Sequence, residues 1–148
     1  MKKNNIIVEN HSDTRVVLKD IVRAVEFYSK MERIDILSLN ISFVGRDQMK
    51  EMNYKYLNHA GGTDIITFDY SADTESSGEK IDAEIIISPN QAKINAKKYN
   101  VTIKNELHRL VFHGLLHLSG YDDQSTKDKK MMRSKEDEMM NLWDQYNF

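Results

Sequence analysis

His113 and His117 stand four residues apart and are followed by Gly120, Asp122 and Asp123 in the stretch HGLLHLSGYDD. On an α-helix a four-residue step turns about 40° around the axis and climbs one turn, so the two imidazoles can address one cation. Gly120 tolerates the left-handed conformation that reverses a chain at a helix end, which would carry position 122 or 123 back toward the histidines. Zinc accepts a carboxylate oxygen at about 2.0–2.2 Å as readily as an imidazole nitrogen at about 2.0–2.1 Å, so Asp123 is competent as a third ligand. Three protein ligands leave a fourth position for water, the open arrangement of catalytic zinc. His113, His117 and Asp123 are therefore the expected ligands of one Zn2+ per chain, held at the C-terminal half of a helix and in the loop that follows. The competing reading is structural: two satisfied histidines on a helix, with an aspartate capping the next one, a role that suits Asp122 better than Asp123.

The elements that must position this stretch follow from periodicity. Residues 103 onward place Leu107, Leu110, Val111, Leu115 and Leu118 at helical spacing, and the helix carries both histidines. His108 lies about half a turn around that helix from His117 and cannot share an ion with it. A last helix is expected from Ser125 or Thr126 to about Tyr146, with Met132, Met139, Trp143 and Tyr146 on its apolar face. Glu136 interrupts that face, as a rim residue or as a buried partner. Upstream, IIVEN (6–10) suits a short strand, and residues 14–32 a helix capped by Ser12 or Asp13. LSLNISFVG (37–45) alternates as a half-buried strand, and 46–57 read as a short helix. TDIITFDY (63–70) and AEIIIS (83–88) are β-branched strand candidates, separated by a polar loop at 71–80. Pro89, the only proline, should open a helix through QAKINAKKY. This order predicts a single α+β domain over 1–148: a mixed four-stranded sheet covered by about five helices.

Composition narrows the function classes. The chain has 148 residues, 40% hydrophobic and 30% charged, without an apolar run long enough to span a bilayer, so no membrane partner is expected. The N-terminus MKKNNIIVENHSD turns polar too early for a signal peptide, which points to the cytoplasm. With no cysteine, a metal must be held by histidine and carboxylate. The net charge of −2 hides an asymmetry: acids dominate 64–84, whereas Lys93, Lys97, Lys98, Lys104 and Arg109 face Glu106 alone in 93–109. That basic run is a solvated helix face or a surface that tracks phosphates.

The spacing HxxxHxxGxx(H/D) also occurs in metzincin peptidases, where glutamate follows the first histidine as general base; here Gly114 holds that position. The stretch more closely resembles the signature HGxLHLxGYDH of the YbeY family of bacterial metallo-endoribonucleases. TDIITF resembles that family's TDVLSF and AEIIIS its GDIxIS, while Glu106, Met131 and Glu136 fall where it places acidic and apolar residues. The resemblance implies a zinc-dependent hydrolase of phosphodiester bonds acting on single-stranded rRNA, in 16S rRNA 3′-end maturation and ribosome quality control, with the ribosome or its 30S subunit as partner. Asp123 stands where the family has its third histidine. Leu57 stands where it has an arginine, so Lys55, His59 or Arg109 would supply a cation to the phosphate. Glu106 and Asp64 are candidates for contact behind the histidines. The alternatives are a non-catalytic ribosome-associated zinc-binding module and, with Gly114 against it, a metallopeptidase.

Overall fold

A computed structural model describes residues 5–57, 65–71, 80–122 and 124–146. The elements run β1 (Ile6–Asn10), α1 (Leu18–Glu32), β2 (Asp35–Phe43), α2 (Arg46–Met52) with a π-helical turn at Asn53–Leu57, β3 (Ile65–Asp69), β4 (Lys80–Ile87), α3 (Pro89–Lys98), α4 (Ile103–Leu118) and α5 (Thr126–Tyr146). The sheet order is β1-β2-β4-β3. β1, β2 and β4 are parallel, and β3 runs antiparallel to β4 with Ile65 opposite Ile87. This is the expected mixed four-stranded sheet with five α-helices.

The apolar run of β4 has a cause in this layering, because both of its faces are covered. Ile81, Ala83, Ile85 and Ile87 point into the main core with α1, α4 and α5, whereas Ile86 joins Val44, Met49 and Ile66 beneath α2. α4 is the central helix: ten of its sixteen residues are buried, among them Leu107, Val111, Phe112 and Leu115. Gly114 explains how it lies so close to the sheet. A β-carbon there would meet Ile65 Cδ1 at 3.0 Å and Ile85 Cδ1 at 3.1 Å, so any side chain must push the strands' isoleucines aside. The position that carries a general base in metzincins thus faces the sheet.

Two expected caps fall elsewhere. The first helix begins at Leu18, not near 14, and its N-cap is Val17 without a side-chain bond. Ser12 is engaged in a turn instead: Asn10 Oδ1 accepts from the Ser12 backbone N–H at 3.0 Å and from its hydroxyl at 2.6 Å. Ser125 rather than Asp122 caps α5, its Oγ accepting from the Asp128 N–H at 3.0 Å. β2 starts at Asp35, two residues early, because β4 extends the pairing, with Asp35 opposite Lys80 and Ile36 opposite Ile81. The polar loop predicted between β3 and β4 lies outside the described residues except for its ends at Ser71 and Lys80. No described helix is long and apolar enough to cross a membrane.

Candidate metal centre

On the deeply buried α4, Glu106, Arg109, His113 and His117 fall within about 80° of arc, so the helix presents one narrow polar stripe. That stripe lines a cleft of about 570 Å3. Ile65 and Thr67 of β3 form one wall, Asn95 of α3 and Tyr99 at its C-cap a second, and Arg133 and Glu136 of α5 a third.

Helix ends set this arrangement. At the start of α4 the Thr102 hydroxyl accepts from the Asn105 N–H at 3.0 Å. At its end Gly120 takes φ 105°, and the chain reverses with Tyr121 N–H bonded to Leu116 O at 3.1 Å and Gly120 N–H to His117 O at 3.2 Å. The expected reversal after His117 is therefore present. Tyr28 of α1 fastens the same end through Ser119 Oγ at 2.6 Å and Leu115 O at 3.3 Å. Burial pushes that phenol's pKa well upward, so it remains a neutral hydrogen-bonding group.

Glu136 resolves the choice left open by helical spacing: it is a buried partner. Its Oε2 lies 2.6 Å from His113 Nδ1, and its Oε1 accepts from Arg109 Nη1 at 3.3 Å. A carboxylate accepts only, so the bond requires the proton on Nδ1 and leaves the Nε2 lone pair to bind a cation. Metal-bound histidines are held in this way by a carboxylate behind them. Arg109 is tied a second time, to Asp137 Oδ1 at 2.9 Å. Burial alone would lower its pKa, and the bonds to Asp137 and Glu136 reverse that and raise it. Glu106 is buried in the cleft floor and accepts from Asn95 Nδ2 at 3.4 Å.

The other sequence candidates separate. His117 is exposed in the cleft beside the half-buried His113. Asp123, His59 and Asp64 lie outside the described residues, and the described ones gather no group of three or more His, Asp or Glu for a metal ion. The donor set among the described residues fits zinc: two imidazoles on one stripe, one with Nδ1 held by Glu136. Lys55 sits on the π-helical turn over the Tyr56 ring, away from the cleft lining. Lys97 and Lys98 are exposed at the end of α3, while Lys93 borders a different groove with Asp20 and His108. Sequence reasoning missed Thr67, Asn95, Tyr99, Asn105 and Arg133 as cleft residues. Only Arg133 carried a usable signal, three positions before Glu136 on the same helix.

His108 sits on the opposite side of α4, edge-on to Trp143 at 5.6 Å. Burial, then the Lys104 charge, lowers its pKa to about 4 against weaker opposition from Asp20 and Asp144. The unfolded chain therefore binds this proton more readily than the folded one, so stability is whole above about pH 6.5 and drains as pH falls toward 4. Between pH 7 and 5 the loss is expected to be about 2 kcal/mol. Urea unfolding of wild type and His108→Gln at both pH values checks this: the wild type should lose that much more than the variant, and parallel losses would exclude His108 as the source.

Comparison with known proteins points one way. The family model for endoribonuclease YbeY matches residues 2–144. The endoribonuclease YbeY of Cytophaga hutchinsonii is 47% identical over 114 residues, covering 77% of each chain, and that of Flavobacterium johnsoniae is 41% identical over 105 residues, covering 71% of this chain and 72% of the relative. Among solved structures, the solution structure of TM1509 from Thermotoga maritima superposes with a TM-score of 0.64 at 26% identity, covering 96% of this chain and 93% of that one.

Proposed function

This chain belongs to the endoribonuclease YbeY family, and from that membership we propose that it is a zinc-dependent endoribonuclease, one domain over 1–148, cleaving single-stranded RNA. Its substrate is rRNA in the ribosome or its 30S subunit, in 16S rRNA 3′-end maturation and ribosome quality control, and it works in the cytoplasm. The ligands are His113, His117 and Asp123. The observation that carries the reading is the Glu136–His113 bond at 2.6 Å, which prepares one imidazole nitrogen for a cation in a polar cleft.

A zinc ion held by His113, His117 and Asp123 would supply Lewis acidity toward a phosphodiester oxygen or toward water. The chain's own groups do the rest. Glu136 fixes the tautomer and aim of His113, and Arg109 holds Glu136 in place. Asp123 adds a negative charge that a third histidine would lack, which weakens Lewis acidity without removing it. The cleft walls of α3, α4 and α5 admit a chain of nucleotides from the open side, where His117 is exposed.

The test is incubation of the purified protein with single-stranded RNA, duplex RNA and casein, with His113→Ala alongside. Cleavage of the single strand alone, lost in the variant, is expected. Proteolysis would favour a peptidase despite Gly114, and metal binding with neither activity would favour a non-catalytic ribosome-associated module.

A further inference from the structure

Two guanidinium groups line the cleft, no lysine joins them there among the described residues, and their surroundings differ. Arg109 is half-buried and engaged by both Glu136 and Asp137. Arg133 is exposed and makes no ion pair among the described residues. Its isolation has a local cause. Glu136 and Asp137 stand three and four positions further along α5, where they would ordinarily pair with it. Both carboxylates are drawn across to Arg109 of α4 instead.

Helix direction places this charge. The chain reverses at Gly120, and contacts pass from Arg109–Asp137 to His113–Glu136, so position falls along α5 as it rises along α4. One further turn sets Arg133 level with His117, and both line the cleft.

We infer that Arg133 is a phosphate-binding residue of this cleft, its guanidinium taking the non-bridging oxygens of one phosphodiester of a single-stranded nucleic acid beside His117. The inference rests on the nuclease reading and adds the group that seats the strand. A planar guanidinium matches two phosphate oxygens at once, which an ammonium cannot do. Arg109, held by two carboxylates, leaves that task to Arg133.

The probe is fluorescence anisotropy with a short single-stranded DNA, which offers phosphodiesters without a 2′-hydroxyl, titrated against the zinc-loaded protein over a KCl series. Arg133→Ala should weaken binding roughly tenfold and flatten the log–log salt slope by about 0.7. Arg133→Lys should keep the slope while losing part of the affinity. Lys130→Ala, an exposed charge on α5 outside the cleft lining, should stay within about twofold of wild type. The inference is overturned if Arg133→Ala matches wild type in affinity and slope, or if Lys130→Ala loses as much. RNA cleavage by the wild type is measured in parallel: an active enzyme with unchanged Arg133→Ala binding refutes this inference alone, whereas a wild type that neither binds nor cleaves refutes the nuclease reading as well.

Discussion

His117→Ala is expected to remain folded, to lose stoichiometric zinc, and to cleave single-stranded RNA more slowly by well over the roughly 100-fold that loss of a group behind a ligand costs. The size of the effect follows from the donor set. The described residues offer two imidazoles in the cleft and Asp123 is the only further ligand proposed, so removing one leaves too few to hold an ion against water. Folding should be spared because His117 is exposed and sits past the tightly packed middle of α4. Metal-free stability is therefore expected within about 0.5 kcal/mol of wild type. Metal analysis and thermal unfolding of the same preparation check both halves. Stoichiometric zinc in the variant removes His117 from the ligand set.

Glu136→Gln should weaken zinc affinity by about 10- to 100-fold while His113 and His117 remain in place. An amide offers one carbonyl, whereas Glu136 accepts from two donors, His113 at Oε2 and Arg109 at Oε1. The variant must abandon one, and if the amide turns its NH2 toward His113 the imidazole shifts to the tautomer with its proton toward the cleft. A positioning role is separable from a structural one by comparison with Asp137→Ala. That change also removes a partner of Arg109 but does not touch His113. Asp137→Ala should cost some stability and leave zinc affinity within about threefold of wild type, given the exposed carboxylate. Competition against a chelator gives the affinities. Equal affinities in the two variants would reduce Glu136 to a prop for Arg109.

These expectations divide according to what one-dimensional spacing can carry. The body and end of α4 were legible, since its apolar periodicity and the stop at Gly120 are local properties. The strands were legible because β4 is buried on both faces and reads as an unbroken apolar run. The cap at Ser12 was misread because a serine near a helix start has the same appearance whether it bonds forward into the helix or back to Asn10. The site divides in the same way. The imidazole pair is a four-residue relation on one helix, but Glu136 lies 23 residues from His113 and Arg109 lies 28 from Asp137. Those partners depend on how α4 and α5 cross, which helical periodicity does not specify. Arg109 looked in sequence like a cation open to phosphate for that reason, and the group left open is Arg133.

The most direct measurement is a zinc titration of chelator-stripped protein with RNA cleavage followed in the same samples. Cleavage should rise in step with added zinc and level off at about one equivalent per chain, with His113→Ala flat throughout. Full cleavage by the stripped protein, or a response of His113→Ala that tracks the wild type, would contradict a metal centre on this stripe of α4.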